Sequence, residues 1–251
     1  MKKIKQKKIS RFITLSIIIV SFCLMISLAD LFSSLITVGG FTFVGDEVSV
    51  AKFDTYAVCI SNHQTMVQAQ ENANICISLG GAGYILSEDQ YYVVASVYNN
   101  EADAKKVQES LIITRPTTII KKIEILPISI SSNLSSQEKN TLTETFLTFK
   151  TTYKKLYDLS VSLDTGVIQE INARLSINEL ASEISEKKDN FSTVFSSSYT
   201  KNLLEIKKAM DDLSNAISKL VNTSKTPYSS YIKYAYCEDL IIYKNLSKSL
   251  S

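Results

Sequence analysis

The sequence predicts an α+β protein that ends in an all-helical half. Residues 91–111 change from a β-rich run to a helical pattern, and the same change occurs once before, thirty-five residues earlier. From residue 134 on, apolar residues recur at helical spacing with almost no Gly or Pro. An uncharged stretch near the start predicts one transmembrane helix ahead of the α+β part.

The N-terminus is a basic arm, residues 1–11, followed by an apolar stretch. Residues 12–38 are predicted to be a transmembrane anchor, since 12–29 hold no charge and 31–38 continue apolar. A second interpretation is a signal peptide cleaved after Ala29, at a small-x-small site. Under both interpretations, the basic arm stays in the cytoplasm and the chain beyond the apolar stretch lies outside the cytoplasm. Residues 39–52 then form a short connector.

An internal repeat follows, in which each copy is a strand and then a helix. The first copy has these residues at the positions that repeat: Tyr56, Val58, Ile60, Ser61, Ala69 and Cys76. The second copy has their counterparts: Tyr91, Val93, Ala95, Ser96, Ala104 and Leu111. A short strand at 84–87 lies between the copies, and 118–125 is predicted to be a last strand. The order is β-α-β-β-α-β, a split βαβ or ferredoxin-like unit.

This duplicated pattern resembles the SPOR domain, the sporulation-related repeat of bacterial cell-envelope proteins, over residues 53–126. The family half-repeat runs aromatic-x-Val-x-apolar-Gly, and both copies fit it except that Ser61 and Ser96 stand in the two Gly positions. The resemblance implies a domain that binds peptidoglycan, chiefly septal glycan strands in cell division or sporulation. It also implies that binding uses the open face of the four-stranded sheet.

Side-chain alternation assigns residues to the two faces of that sheet. Val67, Ile75 and Leu79 of the first helix are predicted to pack on one face of the sheet. The residues that the resemblance makes candidates for glycan binding lie on or beside the other face: Cys59, Ser61, Gln90, Tyr92, Val94 and Ser96. Tyr92 would provide a stacking surface and the Ser and Gln side chains hydrogen bonds. The face is otherwise apolar, so the alternative is that a helix or a partner chain covers it. Exposed Tyr92 and Val94 would favour glycan binding, and buried Tyr92 and Val94 would favour a covered face.

The C-terminal region, 134–251, is predicted to be helical. Its most regular apolar series is Leu203, Ile206, Met210, Leu213, Ile217 and Leu220. A further series includes Ile171 and Leu175, and the last helix, 231–246, is rich in Tyr. The pattern is typical of an antiparallel bundle or a pair of long hairpins. Its near-heptad spacing also permits a coiled-coil partner.

Motifs for catalysis and for cofactors are absent from the sequence: there is no P-loop, dinucleotide fingerprint, HExxH or paired-carboxylate pattern. His63 is the one histidine, and the four Cys show no CxxC spacing, so we expect neither an enzyme nor a metal site. A net charge of +2 gives no indication of nucleic-acid binding.

We therefore expect a membrane-anchored, extracytoplasmic protein without cofactor. Its expected partners are the lipid bilayer, glycan strands and an envelope protein held by the C-terminal helices. The second hypothesis is a non-catalytic envelope scaffold whose SPOR-like domain makes protein contacts.

Overall fold

A computed structural model describes residues 41–44, 47–112, 117–131, 133–196 and 200–251. Its strands are β1 Phe41–Val44, β2 Glu47–Val50, β3 Phe53–His63, β4 Tyr84–Ser87, β5 Tyr91–Tyr98, β6 Ile119–Ile125 and β7 Ile128–Ser131. Its helices are α1 Met66–Ser78, α2 Glu101–Ile112, α3 Ser136–Asp164, α4 Glu170–Val194, α5 Lys201–Val221 and α6 Tyr228–Leu250. The predicted α+β class and the helical C-terminal region are confirmed. The predicted anchor, 12–38, lies outside the described residues, and none of the described helices is long and apolar enough to cross a membrane.

The repeat forms a four-stranded antiparallel sheet in the order β4-β5-β3-β6. The long strands of the two copies, β3 and β5, lie side by side at its centre. The short strand β4 and strand β6 form its edges. The strand–helix repeat thus gives two neighbouring strands, each followed by a helix.

Small side chains decide how α1 packs on this sheet. Thr65 caps the helix by accepting a hydrogen bond from the Gln68 amide. Ala69, Ala73 and Cys76 are buried against the sheet. The prediction that Val67, Ile75 and Leu79 fill this core is wrong, since they are 70%, 48% and 68% exposed. The small residues recur at spacings of 4 and 3, and they allow the helix backbone to approach the sheet more closely than larger side chains would.

A second sheet has the order β1-β2-β7 and uses residues that were predicted to be a connector. In β2, Val48 and Val50 alternate with polar residues and are buried. They pair with Ile130 and Ile128 of β7, which are also buried. The segment 39–52 therefore contributes strands to the fold.

The C-terminal helices form a closed set in which each packs on the next and α6 packs back on α3. Ser135 and Glu138 form a capping box at the start of α3. All six residues of the predicted α5 series, from Leu203 to Leu220, are buried. In α4, however, Ile171 and Leu175 are 60% and 56% exposed, and the buried stripe runs through Ile177 and Ile184. The contacts describe a four-helix bundle.

Candidate functional site

The last helix, α6, packs against the face of the four-stranded sheet that lies opposite α1 and α2. It contacts β4, β5 and β6. Aromatic pairs mark the two sides of the contact: Phe53 of β3 lies 6.0 Å from Tyr243, and Tyr84 of β4 lies 5.2 Å from Tyr234, measured between ring centroids. The face that the resemblance makes a glycan-binding surface is therefore covered by the same chain.

Three predicted site residues lie under this cover. Cys59 is fully buried, Val94 is 1% exposed and Tyr92 is 5% exposed. Cys59 and Val94 are cross-strand partners, as their predicted common face requires. Burial raises the pKa of the Cys59 thiol to about 12, so the thiol is neutral at physiological pH.

A cation occupies the ring face of Tyr92. Lys121 Nζ lies 4.2 Å from the ring centroid, and the phenol oxygen donates to the Asp89 carboxylate at 3.0 Å. Lys121 also pairs with Glu88 at 3.1 Å, and Lys244 of α6 pairs with the same carboxylate at 3.0 Å. Burial alone would raise the pKa of Glu88, but hydrogen bonds from the two lysines lower it below its ordinary value. The ring face that would stack on a sugar is thus already in contact with Lys121.

Two register shifts in the pairing of β3 with β5 move the candidate serines. Ser61 pairs with Val93, which belongs to the core beneath α1, and Ser96 pairs with Val58. Because cross-strand partners share a face, Ser61 lies on the α1 side and not beside Tyr92. Its hydroxyl is 3.0 Å from His63 Nε2. The structure therefore does not bring Ser61 together with Cys59, Tyr92 and Val94.

The remaining candidate, Gln90, is half-buried in the turn before β5 and accepts a hydrogen bond from Asn62. Asn62 is the cross-strand partner of Tyr92, so Gln90 lies at the margin of the covered face. Of the six candidates, it is thus one that keeps partial access to solvent beside that face.

Tyr236 of α6 is a residue that sequence reasoning missed. Strand β4 pairs only with Tyr91–Val94, so from Ala95 on no strand among the described residues pairs with that side of β5. The Val97 amide donates to the Tyr236 phenol oxygen at 3.3 Å, and the Ser96 hydroxyl lies 3.2 Å from the same atom. Tyr236 is 1% exposed. Its phenol therefore satisfies backbone that the short β4 leaves open.

Further polar contacts fasten α6 to the repeat unit along its length. Ser230 donates to the Ile77 carbonyl at 3.0 Å, and Lys233 donates to the Gly80 carbonyl at 2.6 Å. Near the other end, the Leu126 amide donates to Ser247 at 3.2 Å. The available sequence signal was the tyrosine-rich composition of this helix, since buried Tyr needs a partner for its hydroxyl.

The described residues hold no group of three or more His, Cys, Asp or Glu side chains that is arranged to bind a metal ion. Comparison with models of protein families, with curated proteins and with solved structures finds no match to this chain.

Proposed function

We propose that this chain is a non-catalytic scaffold of a bacterial cell envelope. In this proposal residues 12–38 anchor it in the membrane and the rest lies outside the cytoplasm. Residues 53–126 form a SPOR-like unit of ferredoxin-like type that serves as a platform for its own helical bundle. The bundle then recruits another envelope protein.

The observation that carries the proposal is the cover that α6 places on the sheet. The two hypotheses from the sequence differ in the exposure of Tyr92 and Val94, and both residues are buried. The cover combines apolar packing with hydrogen bonds to backbone groups, as at Val97 and Leu126. A face held in this way supports a role in assembly, because a sugar would have to displace a packed helix first.

Exposed apolar residues on the bundle also support a role in assembly. Ile171 and Leu175 of α4 are four residues apart and are 60% and 56% exposed, and Val167, in the loop just before this helix, is 76% exposed. Residues at this spacing lie on one side of a helix. Contiguous exposed apolar residues are typical of surfaces that contact other proteins.

Sedimentation of the full chain with cell-wall sacculi tests the proposal. Sacculi are used intact and after an amidase has removed their peptides. The scaffold proposal predicts that the chain stays in the supernatant in both cases. Strong co-sedimentation that increases on stripping would contradict it.

In-cell photocrosslinking supplies the positive arm of the test. A photoreactive residue replaces Ile171, and the matched control carries it in place of Glu186, an exposed polar position on the same helix. We expect a light-dependent protein adduct at Ile171 and none at Glu186. Equal adducts at both positions would mean that the exposed apolar residues do not select a partner.

The second candidate function is glycan binding that requires displacement of α6. The repeat itself favours it, because the four-stranded sheet and the duplicated motif fit the β-α-β-β-α-β element order that the resemblance implies. Tyr236→Phe tests this candidate, since it weakens the attachment of α6 without changing the sheet face. Glycan binding predicts that this variant sediments with stripped sacculi more than the natural protein does. The scaffold proposal predicts no difference.

A further inference from the structure

A cavity of about 390 Å³ lies where the repeat unit meets the helical bundle. The end of α1, the Gly80-Gly81 turn and the second half of β5 line it on one side, and the last turns of α3 together with α6 line it on the other. The cavity is present because β4 pairs with β5 only as far as Val94, so no described strand fills the space beside Ala95 and Ser96. A cavity of this size at the junction of two parts of a fold is typical of sites for small molecules.

Opposite charges stand side by side in the wall of this cavity. Lys233 of α6 forms an ion pair with Asp164, the last residue of α3, and donates to the Gly80 carbonyl at 2.6 Å. Two of the three N–H groups of Lys233 are thus used, and no further acceptor among the described residues bonds the third. Asp164 accepts through Oδ2, and its Oδ1 has no partner in the described part of the chain. Each charged group can therefore still bond a ligand.

Two helices point their C-terminal ends at the cavity. α1 ends at Ser78, just before Leu79 and Gly80, and α3 ends at Asp164. The last carbonyl groups of a helix carry partial negative charge and favour a cation. Together with the Asp164 carboxylate they favour an ammonium group, whereas Lys233 favours a carboxylate. The wall thus matches a molecule that carries an ammonium group and a carboxylate next to each other.

Apolar side chains also line the cavity. Leu79 is 68% exposed and Val161 is 42% exposed, although both belong to the wall. Ile60 and Leu111 line it as well. Apolar surface that water still contacts favours coverage by an apolar group. The ligand that fits this wall therefore has an apolar part beside its two charges.

The hydroxyl groups of the wall bond within the protein. Ser160 donates to the Tyr157 carbonyl at 2.8 Å, and the Ser96 hydroxyl lies 3.2 Å from the Tyr236 phenol oxygen. A sugar needs several free partners for its own hydroxyl groups. The cavity is thus a poorer match for a sugar than for an amphipathic molecule with two charges.

We propose that this cavity binds a free α-amino acid with an apolar side chain. The carboxylate of the ligand bonds Lys233, its ammonium group bonds Asp164, and its side chain lies against Leu79 and Val161. The two charged groups of an α-amino acid are attached to the same carbon, which matches the neighbouring positions of Lys233 and Asp164. The site goes beyond the proposed scaffold function, which does not depend on it.

Calorimetric titration of the full chain in detergent micelles tests this site, with a titration into micelles alone subtracted. Leucine and phenylalanine are the probes, and glycine lacks the apolar side chain. Leucinamide keeps only the ammonium group, and N-acetyl-leucine keeps only the carboxylate; all are measured at about pH 6.5, at which α-amino groups are cationic. We expect leucine or phenylalanine to bind with a Kd of about 1 mM or lower, and glycine and each one-charge analogue of leucine to bind about tenfold more weakly.

Two substitutions in the ion pair separate a binding role from a structural role. Lys233→Met should remove the preference for leucine over leucinamide, because it removes the group that bonds the carboxylate. Asp164→Asn should remove the preference for leucine over N-acetyl-leucine, and Asp164 is partly exposed at a helix end, so this variant retains the fold. Each preference is a ratio measured within one variant, so a general loss of stability does not change it. Lys201→Met, at an exposed position outside the cavity, should leave both preferences unchanged.

Three results would overturn the proposal. One is absence of binding by leucine and phenylalanine at about 10 mM, well above the expected Kd. Another is equal binding of leucine and its one-charge analogues, because the charges would then not be recognised. The third is unchanged preferences in both ion-pair variants, since the amino acid would then bind elsewhere. The sacculus and photocrosslinking experiments do not involve this cavity, so the scaffold function and this site succeed or fail separately.

Discussion

Replacing Tyr236 with Phe isolates the hydrogen bonds that hold α6 on the sheet. The ring is fully buried and forms an edge contact with Tyr153, with 5.7 Å between centroids, so Phe retains the packing. The variant loses the phenol oxygen that accepts from the Val97 amide and contacts the Ser96 hydroxyl. A typical hydrogen bond contributes about 1 kcal/mol to stability, and a buried donor left unsatisfied costs about 1–3 kcal/mol. We therefore expect the free energy of unfolding to fall by about 2–3 kcal/mol.

Urea denaturation measures this change, with Tyr234→Phe as the matched control. Tyr234 lies on the same helix, is 37% exposed, and its hydroxyl has no hydrogen-bond partner among the described residues. We expect the control to change stability by less than about 0.5 kcal/mol. The Tyr236→Phe midpoint should fall without a change in the denaturant slope, and the melting temperature should fall by about 4–10 °C. Equal stabilities of the two variants would refute the role assigned to the Tyr236 phenol.

Two further predictions concern α6 and the α1–β4 turn. Asp239 of α6 is fully buried with no hydrogen-bond partner for either carboxylate oxygen among the described residues, and burial raises its pKa well above the ordinary value. The contribution of Asp239 to stability is therefore largest below about pH 4 and is lost as pH rises towards the folded-state pKa. Relative to Asp239→Asn, the natural protein should lose stability between about pH 5 and pH 8, as measured by urea titrations. A difference in free energy of unfolding between the two proteins that stays constant over this range would contradict the prediction. Gly83→Ala should cost about 2–4 kcal/mol, because φ is +62° and a Cβ would lie 2.5 Å from Ile77 and 2.6 Å from the Ala73 carbonyl. Gly166→Ala, at φ +69° in open space, should cost only about 1 kcal/mol in the same assay, and equal costs would exclude the steric explanation.

The repeat and its sheet were predictable because both signals are local. Alternation in 91–98, a break at Asn99-Asn100 and helical spacing from Ala104 on are sufficient to predict a strand and a helix. The N-terminal cap of α2 was equally predictable, since the Asn100 side chain accepts a hydrogen bond from the Asp103 amide, as expected of Asn at such a break. Duplication of the pattern then predicted two strand–helix units in one sheet.

The faces of the sheet were less predictable, because the register shifts near Cys59 leave no mark in composition. A shift of one residue exchanges the faces of the side chains beyond it, and this is why Ser61 and Tyr92 do not share a face. The core beneath α1 was missed for a different reason. Large apolar residues outrank Ala69 and Ala73 in any hydrophobicity pattern, but close packing of a helix on a sheet favours the small side chains.

The position of α6 could not be predicted from its own sequence. Its apolar and aromatic residues predict a helix with a buried side, but they do not show whether it packs on the bundle, on the sheet or on another protein. The helix packs on both α3 and the sheet, and this explains why polar residues such as Ser230, Asp239 and Ser247 are buried on it.

Thiol labelling of Cys59 tests most directly whether α6 keeps the sheet face covered. Cys59 is fully buried on the covered face, and Cys237 of α6 is 2% exposed. Pulse labelling of the full chain with an alkylating reagent, followed by peptide mass spectrometry, reports Cys59 separately from the other cysteines. The account predicts that Cys59 is labelled only as fast as the whole fold opens, with the same urea dependence as global unfolding. Rapid labelling of Cys59 in the native protein, with little urea dependence, would mean that the face is open and would contradict the account.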